Sequence, residues 1–176
     1  MIPTASQTIG PYWHLIDDPS WSDLTRFGAQ GDIITLSGRL TDGNDAPVSD
    51  AAIELFQAAP ARSAIFPGFG RAACDAAGQF RFVTLKPSPL PGPAGARGNT
   101  PQAPHCGLAI LARGLLKPLF TRLYFAGEPL NATDPILALI EPPSRRATLI
   151  AQAIGPGHYH LDIALQGAAE TVFLEF

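Results

Sequence analysis

The sequence predicts a mostly β protein, an antiparallel β-sandwich core that carries an N-terminal arm, long loops and one or two short helices. Apolar residues alternate with period two along several short segments, which is typical of strands with one buried face. Gly and Pro number 17 and 18 of the 176 residues, and this favours frequent turns between short strands. We expect a single domain over 1–176, with the arm at 1–31 and the sandwich core at 32–176.

Each strand is predicted from its own pattern. In the first, Ile34, Leu36 and Leu40 face one side while Thr35 and Ser37 face the other. The segment 108–112 is almost wholly apolar, so a central strand buried on both faces is expected there. The strands are predicted over 33–40, 52–57, 80–85, 108–112, 122–125, 159–165 and 171–174, the last two as a closing pair.

Helix is scarce in this sequence. Ser144 is a plausible N-cap for one short helix over 145–152, and 135–140 adds at most one further turn. The arm and the segment 87–104 fit neither period. The second of these is rich in Pro and Gly, and a loop of that length inside a compact domain is usually functional or contacts a partner.

Charge and composition exclude several classes of function. Twelve Lys and Arg stand against 15 Asp and Glu, and charged residues make up 15% of the chain, so no basic stripe for nucleic acid is expected. A surface so poor in charge fits either burial against a partner or a bland monomer. Arg113 and Lys117 interrupt the longest apolar run, and the first residues lack the basic and apolar regions of a signal peptide. We therefore expect a cytoplasmic protein without membrane contact, with Cys74 and Cys106 as free, buried thiols.

Two histidine motifs are candidates for chemistry. His158 and His160 face the same side of a strand and are positioned to share a metal ion. We favour a surface pair at the entrance of an edge strand, because no acidic residue or cysteine nearby completes a site by local spacing. His105 and Cys106 are adjacent in a strand and so face opposite sides, which favours a packed thiol over a catalytic dyad.

A family resemblance extends through these motifs. The arm segment Thr8-Ile9-Gly10-Pro11 resembles the Thr-x-Gly-Pro segment of intradiol ring-cleavage dioxygenases. The remaining matches follow in the family's order, from about residue 4 to residue 176: 38–44, 54–58, 75–82 with 85–87, 104–105, and 121–125 with Glu128. Four further segments, 111–114, 140–142, 145–151 and 165–167 with 170–173, resemble the alpha subunit of the family's hetero-oligomeric members in particular.

The resemblance also shows what this chain lacks. Catalytic members hold Fe(III) with two Tyr and two His, a donor set that suits a hard ferric ion. Here His105 stands at the first His position, Gly107 replaces the second, and Leu90 replaces one Tyr. The segment 59–70, where the other Tyr belongs, contains none. The resemblance therefore implies a vestigial site without metal or catalytic residues, and Fe(III) held by a partner beta subunit in a higher αβ hetero-oligomer.

In the resembled complex, this chain contributes one wall of the partner's substrate pocket. The implied substrate-binding residues are Thr8, Gly10, Pro11, Tyr12 and Arg113. A guanidinium at the pocket mouth suits a small aromatic substrate that carries a carboxylate. For Tyr12, the alternative to substrate contact is packing at the subunit interface, and the alternative for Arg113 is an interface ion pair.

Two rival functions come from other classes. The first rival is a binding or scaffolding module, because transthyretin-like sandwiches share the Asp-x-x-Gly turn and strand. A self-sufficient metal enzyme that uses His105, His158 and His160 is the other.

Overall fold

The computed structural model describes residue 5 and residues 8–92 and 100–175. Residues 1–4, 6, 7 and 176, and residues 93–99 of the predicted loop, lie outside this description. The described chain forms nine strands: β1 (Ile33–Thr41), β2 (Ala52–Phe56), β3 (Phe69–Ala73), β4 (Gln79–Leu85), β5 (His105–Leu111), β6 (Leu119–Phe125), β7 (Ile150–Gly155), β8 (His158–His160) and β9 (Ile163–Ala164). The mostly β fold class is thereby confirmed.

The strands are ordered β3-β2-β5-β6-β7-β8-β1-β4, and β9 pairs with β1 outside this path. Strand pairs are antiparallel except β6 with β7, and β1 with β8 and with β9. Because β7 pairs with both β6 and β8, it joins two halves, one built on β2, β5 and β6 and the other on β1 and β4. The central place predicted for 108–112 is confirmed, since β5 lies between β2 and β6.

The apolar core lies between these two halves. Leu36 of β1 and Phe82 of β4 belong to the same buried cluster as Leu55, Leu108 and Leu123 of the other half. Burying each such side chain stabilises the fold by about 1.5–3 kcal/mol. The alternation predicted for the first strand is also confirmed. Cys74 and Cys106 are free and buried, as predicted.

The helix predicted over 145–152 is wrong in type and in extent. The structure has a 3-10 helix over Pro143–Leu149, with Pro142 rather than Ser144 at the N-cap and no side-chain cap. Ile150 begins β7 and pairs in parallel with Tyr124. The β-branched Thr148 and Ile150 have modest helix propensity, so pairing with β6 prevails over the local helix signal.

The remaining 3-10 helices are Trp13–Leu15, Pro19–Ser22, Pro129–Ala132 and Leu137–Leu139. The last of these confirms the turn predicted within 135–140. None of the helices in the described residues is long and apolar enough to cross a membrane.

The closing strand pair is also wrong. Residues 158–160 and 163–164 pair in parallel with β1, while 171–174 makes only isolated backbone contacts, through Thr171 to Ala164 and Leu174 to Phe120. Strand β3 was not predicted at all, because Gly70 and Arg71 interrupt its apolar pattern. Pairing with β2 holds it in place, and an ion pair between Arg71 and Glu54 crosses the two strands.

Candidate functional site

The N-terminal arm lies against the body of the protein and forms a cleft of about 320 Å³. We call it the arm cleft. Its lining residues come from the arm, from the segment before β2, from the end of β3 and from the residues after β5: Gly10, Pro11, Trp13, His14, Ser49, Asp50, Ala73, Cys74 and Arg113. The structure thus brings three of the five predicted substrate-binding residues, Gly10, Pro11 and Arg113, to one place.

Trp13 anchors the arm. Its side chain is only 9% exposed, and its indole Nε1–H donates a hydrogen bond of 3.1 Å to the backbone oxygen of Asp50. Gly10 has a φ of +76°, and a Cβ there would have no heavy atom within 4 Å. Glycine is therefore favoured here by the positive φ of the turn, and not because a side chain would lack space.

Arg113 forms an ion pair with Asp50 at the arm cleft. The guanidinium Nε donates to Asp50 Oδ2, while the Arg113 side chain remains 69% exposed. Nη1 and Nη2 make no hydrogen bond to any described residue. Asp50 thus fixes the base of the guanidinium and leaves its terminal N–H groups able to bind a carboxylate.

The other two predicted residues lie outside the lining of this cleft. Tyr12 is 72% exposed, and Thr8 is also exposed. Neither residue belongs to the arm cleft within this chain.

A second cleft, of about 460 Å³, lies on the outer face of the β2, β5 and β6 half. We call it the sheet cleft, lined by Phe56, Gln57, Ala58, Arg62, His105, Gly107, Leu108, Phe120, Thr121 and Arg122. It contains two of the three positions at which the family resemblance implies vestigial or replaced metal ligands, His105 and Gly107. The third, Leu90, pairs its backbone with Gln102.

His105 is held by its backbone surroundings. Its Nδ1 lies 2.7 Å from the oxygen of Ala103, and since a carbonyl only accepts, Nδ1 carries the proton. Burial lowers the pKa of His105, and the nearby positive charge of Arg122 lowers it further. The ring packs on Tyr124, with 5.4 Å between centroids.

The residues around His105 do not fit a ferric ion. Gly107 offers no donor and pairs across the strands with Arg122, a cation. Tyr124 is no substitute, because burial raises its pKa and so favours the neutral phenol. Its hydroxyl donates to Asp134 at 3.2 Å. The described part of the chain contains no cluster of three or more His, Cys, Asp or Glu placed to bind a metal.

The histidines of β8 form a different arrangement. Ser37 Oγ lies 2.9 Å from His158 Nε2 and 3.0 Å from His160 Nδ1, and His160 Nε2 lies 2.9 Å from Asp162. In the neutral form of His160 with its proton on Nε2, where the carboxylate of Asp162 accepts it, Nδ1 is an acceptor, so Ser37 donates to His160 and accepts from His158. This chain of hydrogen bonds accounts for both rings without a metal.

Two hypotheses about these histidines need correction. β8 lies between β7 and β1 rather than at an edge, so the predicted edge strand is wrong. Asp162 contacts His160 but adds only one carboxylate to the pair. The rival three-histidine site is also not formed, since His158 and His160 contact Ser37 of β1 while His105 lies in β5.

Several residues at these sites were missed by sequence reasoning. Asp50 organises the arm cleft, yet it belongs to no motif, whereas Trp13 lies in the aromatic arm segment Gly10-Pro11-Tyr12-Trp13-His14. Asp162 follows His160 by two positions, and this strand spacing was a signal that was available. Arg122 lies in an otherwise apolar strand. An outward-facing guanidinium in such a strand is the only sequence signal that this residue has a functional role.

Comparison with known proteins places these features in context. The profile of the family described as "Dioxygenase" matches residues 15–167. The protocatechuate 3,4-dioxygenase alpha chains of Pseudomonas putida and Burkholderia cepacia are 39% and 35% identical, each over 98% of this chain and 96% of the relative. The beta chain from Burkholderia cepacia is 32% identical over 94% of this chain and 77% of that one.

Solved structures show the same fold. The dioxygenase domain of a dioxygenase carbohydrate-binding protein fusion from Streptomyces sp. SirexAA-E is 28% identical, with a TM-score of 0.64 over 95% of this chain and all of that one. Catechol 1,2-dioxygenase from Pseudomonas arvilla C-1 is 20% identical, with a TM-score of 0.61 over 83% of this chain and 56% of that one.

Proposed function

This chain belongs to the intradiol ring-cleaving dioxygenase family, and we propose that it is the non-iron alpha subunit of protocatechuate 3,4-dioxygenase. In this proposal it completes the substrate pocket of an iron-bearing beta subunit, within a higher αβ hetero-oligomer. The complex adds both atoms of O2 to protocatechuate and yields 3-carboxy-cis,cis-muconate. The observation that carries the proposal is the meeting of Gly10, Pro11 and Arg113 in one cleft.

Arg113 supplies the charge that the substrate needs. Protocatechuate carries a ring carboxylate, which a guanidinium binds through two parallel N–H groups. The ion pair with Asp50 occupies Nε, so Nη1 and Nη2 are available for this contact. Gly10 and Pro11 bring a stiff backbone segment to the same cleft, where it excludes water from one side of the bound ring.

Exposed apolar side chains support burial of this region against the partner. Tyr12, Leu15 and Ile16 of the arm are 72%, 72% and 70% exposed, and Leu116, three residues after Arg113, is 88% exposed. Apolar surface of this kind usually marks an interaction site. Tyr12 and Thr8 would therefore reach substrate, or the partner, only in the assembled complex.

The iron belongs to the beta subunit in this proposal. Around His105 this chain offers one imidazole, a glycine and a guanidinium, and one imidazole does not hold a metal in a defined geometry. No step of the reaction is therefore assigned to the sheet cleft. The role of this chain is to bind, to orient and to exclude water.

The test compares the chain purified alone with the chain co-expressed with a beta subunit. We expect the lone chain to be colourless and free of iron, and the complex to show ferric–tyrosinate absorption and to cleave protocatechuate. Metal analysis, visible spectra and ring-cleavage assays measure these outcomes. Stoichiometric iron with a visible charge-transfer band in the lone chain would refute the proposal.

A further inference from the structure

A third cleft, of about 670 Å³, lies beside the histidines of β8. It is on the side of β1, β4 and β8 that faces away from the core, and we call it the β8 cleft. Its lining includes Ser37, Arg81, His158, His160 and Asp162. None of these five residues lines the arm cleft or the sheet cleft, so their chemistry is separate from the function proposed above.

Ser37, His160 and Asp162 form a series of hydroxyl, imidazole and carboxylate in this cleft. Ser37 Oγ lies 3.0 Å from His160 Nδ1, and His160 Nε2 lies 2.9 Å from Asp162 Oδ1. The same Asp162 oxygen accepts the backbone N–H of Arg39 at 2.9 Å, which holds the carboxylate in place. A hydroxyl bonded to an imidazole whose other nitrogen is bonded to a carboxylate is the arrangement that activates a serine as a nucleophile.

The register of the sheet fixes the position of Ser37. It lies opposite His160 in the parallel pair of β1 and β8, and opposite Arg81 in the antiparallel pair of β1 and β4. Directly opposite residues project from the same face of a sheet, with Cβ atoms about 4.5–5.5 Å apart. The hydroxyl therefore stands between an imidazole that accepts its proton and a guanidinium.

Arg81 and His158 supply hydrogen-bond donors beside this hydroxyl. Arg81 Nη2 donates to Thr35 Oγ1 at 3.3 Å, while its Nε and Nη1 have no hydrogen-bond partner in the described part of the chain. These N–H groups are available to an oxygen that becomes negatively charged during acyl transfer. His158 Nε2 lies 2.9 Å from Ser37 Oγ, and its N–H stabilises that oxygen as the proton leaves.

The charge of the β8 cleft favours an uncharged substrate. Its charged lining residues are three arginines and three aspartates: Arg39, Arg71, Arg81, Asp17, Asp75 and Asp162. Neither sign predominates, and Pro19, Ala72 and Ala73 add apolar surface. A small, neutral carboxylic ester fits this combination of polar and apolar groups.

We propose that the β8 cleft is an esterase site with Ser37 as nucleophile and His160 as general base. Ser37 Oγ bonds to the carbonyl carbon while its proton passes to His160 Nδ1, and the carbonyl electron pair moves onto the oxygen beside Arg81. The bond to the alcohol oxygen then breaks, and the alcohol leaves with the proton from His160. Water attacks the acyl-serine by the same route, which releases the carboxylic acid and restores Ser37.

The test is hydrolysis of p-nitrophenyl acetate by the purified full chain, followed by the absorbance of p-nitrophenolate. We expect slow, saturable turnover, because His160 and Asp162 are 38% and 67% exposed and water weakens their interaction. Ser37→Ala and His160→Gln should each lower turnover by about a hundredfold, the lower end of what a general base contributes. Ser144→Ala is the matched control, because Ser144 is an exposed serine of the 3-10 helix over Pro143–Leu149. It should leave turnover unchanged.

Covalent labelling gives a second readout. Mass spectrometry of the acid-quenched reaction should find one acetyl group per chain, on Ser37. Phenylmethylsulfonyl fluoride, which modifies activated serine hydroxyls, should label Ser37 in the parent chain and not in His160→Gln. This labelling decides the matter if Ser37→Ala does not fold, as judged by circular dichroism. If the lone chain does not fold, peptide mapping of the co-expressed complex should locate the same label on Ser37.

Three results would overturn the esterase site. The first is turnover that persists in Ser37→Ala or in His160→Gln. The second is acetyl groups on Lys86 or Lys117 in place of Ser37, since these would show non-specific acetylation. The third is a parent chain that neither hydrolyses the ester nor takes up the sulfonyl group.

Discussion

Arg113 and Asp50 form an ion pair at the arm cleft, and the backbone oxygen of the same aspartate accepts the indole N–H of Trp13. One residue thus fixes both the guanidinium that we assign to substrate and the arm that lies beside it. Because the two contacts use different atoms of Asp50, they can be removed separately. The first three predictions therefore change Arg113, Asp50 and Trp13 one at a time.

Arg113→Ala should lower kcat/KM of the assembled enzyme by on the order of tenfold, mainly through a higher KM. In the proposed function the guanidinium binds the substrate carboxylate in the ground state as well as in the transition state, so its loss would be a loss of uniform binding. Steady-state kinetics with protocatechuate and metal analysis measure the effect, and Arg39→Ala, which removes a cation on β1, is the control. Loss of iron, or dissociation of subunits with the remaining activity unchanged, would count against this role.

Asp50→Asn should raise KM less than Arg113→Ala does and leave kcat unchanged. The guanidinium is retained but loses the carboxylate that orients its Nε, so only its placement suffers. The backbone bond to Trp13 persists, and the arm stays in place. Asp50→Glu should recover part of the affinity, and an Asp50→Asn enzyme with parental KM would show that the ion pair has no positioning role.

Trp13→Phe should loosen the arm. Phenylalanine keeps most of the buried ring but removes the N–H that bonds to Asp50, at a cost of about 1 kcal/mol. Hydrogen exchange of the amides over 8–16 should therefore accelerate about fivefold, measured by mass spectrometry. Trp21→Phe is the matched control, because Trp21 stacks with Arg71 away from the arm cleft, and equal acceleration in both variants would argue against a local anchor.

Asp134 should be a strong determinant of stability. Its buried carboxylate accepts hydrogen bonds from the backbone of Ala103 at 2.8 Å and of Ile136 and Leu137 at 2.9 Å, and from the Tyr124 hydroxyl. Asp134→Ala leaves these buried donors unsatisfied and should cost about 3 kcal/mol in the free energy of unfolding. Tyr124→Phe removes a single hydroxyl and should cost about 1 kcal/mol. Urea denaturation measures both, and equal losses would contradict the assignment.

The two thiols should be unreactive in the native protein. Burial raises the pKa of Cys106 to about 12, and burial with the charges of Asp75 and Asp50 does the same for Cys74. The pKa of a thiol in the unfolded chain is about 8.5, so the unfolded state loses its thiol protons first as pH rises. Stability is therefore fully present below about pH 8 and declines between there and about pH 12. Ellman's reagent at pH 8 should label both thiols only after denaturation, and rapid native labelling would refute their burial.

Local sequence patterns predicted most of the sandwich. The alternation of Ile34, Leu36 and Leu40 and the apolar run of β5 report burial directly, because a side chain's face follows from its position in the strand. The family motifs also located Gly10, Pro11 and Arg113. These features depend on near neighbours in the chain, which a single sequence contains.

What the sequence alone determined is most of the strands, though not β3; the family resemblance adds the expectation of a vestigial ligand position at His105, with Gly107 and Leu90 in place of two ligands. The tertiary structure decided which distant residues meet: Asp50 with Arg113 and Trp13, Ser37 with the histidines of β8, and Arg62 with Arg122 around the sheet cleft. It also turned 150–152 from helix to strand. The physical reason is that each of these outcomes depends on pairing and packing between segments far apart in sequence, whose free energy outweighs local propensity and leaves no periodic trace in the chain.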